Sequence, residues 1–343
     1  MISIIIPIRN EAASIEKCLN AVLAQDYPQD QMEIFVVDGM SSDDTRAIVE
    51  AFAREHPSIK LLSNPGRIVP TGMNIALRQC RGDLIIRVDG HCIIAPDYVS
   101  QCLKHLRADG IDGVGGPMES IGETFIAEAI ALAMSSPFGV GNSAFRTTSG
   151  ETKLVDTIPF PAYTREIILK AGLYDEELVR NQDDEYNYRI RALGGKLLLS
   201  QDVRSRYYSR GSFQKLWQQY YQYGFWKVRV LQKHPRQMSL RQFVPPCFVL
   251  AMLVSAALGI FTPWGLAVFG LVLGVYGLAN LTASLIISLT KGLRLMFLLM
   301  FAFGIIHISY GTGFLVGLLR FMNRWKDSTG SVPDGFLGSD LIE

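Results

Sequence analysis

The chain has 343 residues, with 33 Lys and Arg against 32 Asp and Glu, and 49% of its side chains are apolar. That length allows one large domain or two modest ones, and a formal charge of +1 gives no global electrostatic reason to expect a nucleic-acid partner. The near-neutrality hides an asymmetry: residues 203–241 hold nine Lys or Arg and no carboxylate, and residues 242–290 hold no charged side chain.

In chain order, Ile2 to Ile6 is an apolar run closed by Pro7, which suits a strand buried on both faces. It is too short for a signal peptide and lacks a basic leader, so the N-terminal part is expected to stay in the cytoplasm. Asn10 and Glu11 open a helical pattern through Ile15, Cys18, Leu19 and Val22. Met32 to Val37 reads as a second buried strand that stops at Asp38-Gly39. Ser41 to Asp44 supply caps and early acids for a helix through Ala47, Ile48 and Ala51. Ile59 to Leu62 is a third strand, followed by a helix opened by Pro70-Thr71-Gly72. A fourth strand, Leu84 to Val88, ends abruptly at Asp89-Gly90-His91.

Four strand–helix alternations predict an α/β fold with a mainly parallel sheet flanked by helices. Polar groups at the carboxyl ends of its strands then converge on one crevice. Neither GxGxxG nor a P-loop is present. Asp89 and His91 flank a glycine, and a carboxylate and an imidazole so placed either share a divalent cation or merely belong to a capping turn. The five cysteines show no CxxC or zinc spacing and read as reduced, mostly buried thiols.

Further on, helices are predicted to Leu106, over Thr124–Met134, Thr164–Lys170 and Asp183–Leu193. Residues 112–117 read as a glycine-rich strand or turn, residues 135–150 as a loop and Lys196–Leu199 as a strand. Asp183, Asp184 and Glu185 are consecutive acids, either a solvated helix start or a source of a general base, and Arg189 is spaced to pair with one of them. Ser212 opens an amphipathic helix with Phe213, Leu216, Trp217 and Tyr220 on one face and Lys215, Lys227, Arg229 and Lys233 on the rest, a pattern suited to a membrane interface. Three apolar stretches follow, Val244–Phe261, Trp264–Leu289 and Leu295–Leu319, each long enough for a hydrocarbon core of about 30 Å. Three crossings would put Arg320, Arg324 and Lys326 outside, against the usual bias, so two to three transmembrane helices are expected. The resulting division is 1–210 catalytic, 211–242 interfacial, 243–320 membrane and 321–343 a polar tail.

Five segments taken together resemble family 2 glycosyltransferases of the GT-A fold. They are Pro7 to Glu11, Val36 to Thr45, Asn64 to Arg67 with Gly72 to Asn74, Asp89 to His91, and Gln182 to Glu185 with Arg189. The resemblance implies a GT-A, Rossmann-like domain followed by an α-helical membrane region. It implies that Pro7, Arg9 and Glu11 line a nucleoside pocket, that Asp38 accepts from a uracil imide, and that Arg67 meets the uracil or a phosphate. Asp89 and His91 would hold Mg²⁺ or Mn²⁺ on the diphosphate of a UDP-sugar. Asp183 would be the general base of an inverting displacement, with Gln182, Asp184, Glu185, Arg189 and Arg210 on the acceptor side. Two positions depart from the family: His91 stands for a second Asp, and Gln182 for a Glu. The Asp-x-His form, the Tyr220–Arg229 segment and the His307-x-x-Tyr310-Gly311-x-Gly313 run resemble the branch containing the succinoglycan-biosynthesis glucosyltransferase. That branch implies a nucleotide-sugar donor, a lipid-linked saccharide acceptor, contact with membrane lipid and with polysaccharide-assembly proteins, and a place in the bacterial inner (plasma) membrane. The readings weighed against it are a polyprenyl-phosphate sugar transferase and a non-catalytic nucleotide-sugar-binding scaffold.

Overall fold

The computed structural model describes residues 1–107, 110–141, 143–147, 150–209 and 211–327. The chain divides into two compact units, one of residues 1–119 and 148–207, the other of residues 120–147 and 208–329. Residues 120–147, which the sequence places inside the catalytic stretch, thus belong to the second unit.

In the first unit eight strands form one sheet: β1 (Ile2–Ile8), β2 (Met32–Asp38), β3 (Ile59–Ser63), β4 (Leu84–Arg87), β6 (Gly113–Gly115), β8 (Lys153–Leu154), β9 (Ala162–Thr164) and β10 (Leu197–Leu199). Their order is β3-β2-β1-β4-β9-β6-β10-β8. The first four are parallel, β9 runs antiparallel between β4 and β6, and β10 is parallel to β6. β1 and β2 are buried along their whole length, as their continuous apolar runs require. Their register sets Ile8 beside Asp38, so both strands end at one level. A smaller sheet pairs β5 (Cys92–Ile94) with β11 (Ser205–Tyr208), with β7 (Met118–Ile121) on its far edge.

The second unit is helical. Helix Phe213–Lys233 runs beside helix Met296–Arg320 in the same direction: Phe213 meets Phe301 at 4.8 Å between ring centroids, and Gln232 donates to the Phe321 carbonyl at 2.8 Å. Between these ends the backbones nearly touch. A methyl at Gly313 would collide with the Tyr221 carbonyl, and one at Gly317 would lie 2.6 Å from that of Phe225. Gly313 and Gly317 therefore serve a close helix pair, while Gly311 makes room for the Pro245 carbonyl of helix Val244–Gly259. His307, in the same run, donates from Nε2 to the Phe138 carbonyl (2.9 Å) and accepts the Tyr276 hydroxyl at Nδ1 (3.0 Å), so it ties three segments of this unit together.

The basic residues of helix 213–233 do not form a lipid-facing row. Lys215 is exposed, but Lys227, Arg229 and Lys233 are buried. Arg229 lies fully buried over the Phe321 ring, bonded to Gln232 at 2.6 Å and to the Arg324 and Asp327 carbonyls. Helix–helix contact, absent from any local pattern, claims that face. The helices Val244–Gly259, Pro263–Lys291 and Met296–Arg320 are each, with short extensions for the first and third, long and apolar enough to cross a membrane. Residues 135–150, expected as a loop, contain the short helices Pro137–Val140 and Ala144–Thr147. Helix Phe125–Met134 packs on helix 296–320.

Substituting Gly313→Leu is expected to force the two helices apart. The cost should be about 1–3 kcal/mol or more, typical of overpacking, and should appear as a lower melting temperature in detergent.

Candidate active site

The turns that follow β1 and β2 are stitched together by their own side chains. The Asn10 amide donates to Ser41 Oγ (2.9 Å), Asn10 Oδ1 accepts the Ser42 amide (2.9 Å), and the Glu11 amide donates to Thr45 Oγ1 (2.8 Å). Asn10 is left-handed at φ 56°, which Asn tolerates better than most residues. Asp38 is buried, and its carboxylate accepts the Ser41 hydroxyl at 2.6 Å and lies 3.6 Å from an Arg46 nitrogen. Pro7 is buried, while Arg9 and Arg67 are exposed, Arg67 in a left-handed turn at φ 59°.

The end of β4 comes under the first of these turns. A methyl on Gly90 would sit 2.7 Å from Ile8 Cγ2 and 3.3 Å from Glu11 Cγ, so this position needs a glycine for close approach. The approach lets His91 Nδ1 reach a Glu11 carboxylate oxygen at 2.8 Å, while Ser14 Oγ donates to the other at 3.0 Å. The His91 ring stands edge-on to Tyr207, 5.0 Å between centroids. Two nitrogens of buried Arg87 hold the near oxygen of Asp89, each at 2.9 Å.

Asp183 opens helix Gln182–Ala192, entered through Asn181 in the left-handed conformation (φ 61°). It is half-buried and takes the Asp184 amide at 3.0 Å. Burial raises its carboxyl pKa, and the like charges of Asp184 and Asp89 add to the effect while Arg87 opposes it. Asp183, Arg87 and Asp89 are therefore electrostatic neighbours, although Asp183 comes from a stretch far downstream. The other acid of the run with a full set of partners is Glu185. It is buried and paired at both oxygens with Arg189, at 2.9 and 2.7 Å. Arg189 also donates to the Ala171 and Leu173 carbonyls at 2.7 Å each, so this pair braces the helix and is not open to a ligand. Gln182 Oε1 is buried with no donor among the described residues.

Arg204 and Arg206 are exposed and lie beside Asp97 (3.6 Å) and Glu119 (3.1 Å). Arg210 falls outside the described residues. Among the described residues no three His, Cys, Asp or Glu side chains surround a point that could hold a metal, so Asp89 and His91 would need ligand atoms from a substrate. Sequence reasoning missed Arg87 and Tyr207. The signal for Arg87 was a charge inside an apolar strand, two residues from Asp89 and so on the same face.

The profile of the family described as Glycosyl transferase family 2 matches residues 3–169. Over 330 residues the chain is 29% identical to the succinoglycan biosynthesis protein ExoA of Rhizobium meliloti (strain 1021), covering 94% of this chain and 96% of that one. Over 336 residues it is 28% identical to the dolichyl N-acetyl-alpha-D-glucosaminyl phosphate 3-beta-D-2,3-diacetamido-2,3-dideoxy-beta-D-glucuronosyltransferase of Methanococcus voltae, covering 95% and 99%. Among solved structures it is similar to the mannosyltransferase PcManGT from Pyrobaculum calidifontis in complex with GDP-Man and Mn²⁺. The TM-score is 0.56 at 20% identity, over 92% of this chain and 86% of that one, a likeness of GT-A fold.

An acid whose folded-state pKa is raised binds its proton more tightly when folded, so stability falls as pH climbs from the unfolded value through the folded one. Asp183→Asn should therefore melt higher than wild type at neutral pH. The gap should widen as pH rises above the ordinary aspartate pKa of about 3.9 in paired melting curves.

Proposed function

Residues 3–169 are a glycosyltransferase family 2 domain, and on that premise we propose an inverting transferase. It moves a sugar from a nucleoside-diphosphate donor to a hydroxyl of a lipid-linked saccharide. The observation that carries this reading is the shared electrostatic environment of Asp183, Arg87 and Asp89, a base candidate beside a phosphate-end carboxylate. Pro7, Arg9, Glu11 and Arg67 lie around the nucleoside in this reading, and Asp38 takes the imide of a uracil.

Asp89 and His91 are the residues to hold Mg²⁺ or Mn²⁺ on the donor. They fit in chemistry, since a carboxylate oxygen suits either ion and a neutral imidazole nitrogen suits Mn²⁺ better than Mg²⁺. When bound, the ion stabilises charge on the departing diphosphate. Asp183 removes the proton of the acceptor hydroxyl. The hydroxyl oxygen then bonds to the anomeric carbon as the bond to the diphosphate breaks, with inversion in a single displacement. The buried, unpartnered Gln182 Oε1 supplies an acceptor for a second hydroxyl of the incoming sugar. Asp184 and Arg210 are kept on the acceptor side by their place in the sequence.

The acceptor class follows from kinship and composition. Both full-length relatives carry glycan-synthesis names, and one name specifies a sugar on dolichyl phosphate. Three long apolar helices suit an enzyme that meets such an acceptor at a bacterial inner membrane, its first unit on the cytoplasmic side.

Asp183→Asn should abolish transfer to a hydroxyl acceptor in a radiolabelled sugar assay. Near-normal turnover would point to a lipid phosphate as acceptor, which needs no base. In wild type, the acid limb of kcat/KM should lie above the ordinary aspartate range of about 3.9. Asp89→Asn should lower turnover at least ~100-fold, the scale for removing a group that stabilises developing charge. In a melting-temperature screen with Mn²⁺, UDP should stabilise the protein more than GDP does. A preference for GDP would overturn the uracil assignment, and no protection by either would revive a scaffold role.

A further inference from the structure

Resting on the reading of Asp89 and His91 as the cation pair, we infer that Glu11 and Arg87 are its positioning residues. Each commits one atom of the pair and leaves the other atom for the ion. The contacts are specific. Glu11 accepts at 2.8 Å from His91 Nδ1, which puts the ring proton there and the lone pair on Nε2. That is the tautomer a cation requires, and a carboxylate behind a ligating imidazole both orients it and raises its basicity. The Tyr207 edge, 5.0 Å away, limits rotation of the ring.

Arg87 acts on the other member. Its Nε and one terminal nitrogen share a single Asp89 oxygen at 2.9 Å each, so the carboxylate is held in one orientation with its second oxygen outside the pair. Arg87 is buried and fixed through its own amide, which donates to the Pro161 carbonyl at 2.9 Å. Glu11 is fixed at both ends too, its amide on Thr45 and its second oxygen taking the Ser14 hydroxyl. The departure from Asp-x-Asp thereby has a physical account. The second negative charge of the pair is present, but it stands one residue behind the imidazole, contributed by the turn after β1.

The test measures Mn²⁺ binding directly, by the electron-spin resonance signal of free Mn²⁺, with full-length protein in detergent and UDP present. Glu11→Gln keeps an oxygen acceptor for Nδ1–H and should bind within a few-fold of wild type. Glu11→Ala should weaken Mn²⁺ roughly 10–100-fold, the scale for losing an outer partner of a metal ligand. Arg87→Met should weaken it similarly, and Arg87→Lys, which can still pair with one Asp89 oxygen, should recover part of the loss. Wild-type affinity in both Glu11→Ala and Arg87→Met overturns this inference while leaving the cation reading intact. Equal losses in Glu11→Gln and Glu11→Ala also overturn it. Wild-type protein that takes up no Mn²⁺ with UDP removes the cation reading, and this inference with it.

Discussion

Parallel pairing with β1 sets the level at which each of its two neighbours ends, β2 at the last residue of β1 and β4 three residues before it. β2 and β4 each pair with β1 in parallel register, which sets Asp38 beside Ile8 and Arg87 beside Ile5. Asp38 and Asp89 are placed by that alignment, while Asp183 comes from helix Gln182–Ala192. The three strands are buried over most of their length, so a one-residue slip would send every side chain to the opposite buried face and is strongly disfavoured. The sheet therefore fixes the positions of Asp38 and Asp89 by burial, and the turns beyond it need only short hydrogen bonds to finish the arrangement.

The second requirement is electrostatic. Three carboxylates, Glu11, Asp89 and Asp183, come from three distant stretches, and like charges so gathered would repel one another. Arg87 bonds one of them and lies within electrostatic reach of another, and a His91 nitrogen takes up the third. A buried guanidinium with a carboxylate partner stays charged, which makes it a dependable counter-ion where lysine would be prone to lose its proton. The balance is incomplete at Asp183, whose pKa stays raised. As the proposed base, a carboxylate held above its usual range is better matched to neutral pH than an ordinary aspartate.

Much of this was legible in the sequence wherever a local pattern reported on burial. Continuous apolar runs gave β1 to β4, and Pro7, Asp38 and Asp89 fall at or just beyond the ends of β1, β2 and β4. The i, i+4 spacing of Glu185 and Arg189 foretold their pairing. What escaped were features made only by distant segments. β9 is three residues long and owes its existence to β4 and β6 on either side. The Glu11–His91 bond spans eighty positions. Lys227, Arg229 and Lys233 read as basic groups of a membrane-interface helix, but all three are buried, Arg229 against the Arg324 and Asp327 carbonyls. A helical wheel shows which residues share a face and cannot show what that face meets.

The membership of residues 120–147 in the helical unit means that the chain leaves the sheet-bearing unit in its middle as well as at its end. Clipping the polypeptide after Tyr207 would therefore not release a water-soluble catalytic fragment. It would strip helix Phe125–Met134 of the partner that covers Ala129, Ile130 and Ala133, leaving a greasy stump within the fragment. The chain enters the helical unit, returns to the sheet-bearing unit and enters the helical unit again, so the two have to be made, folded and purified as one piece.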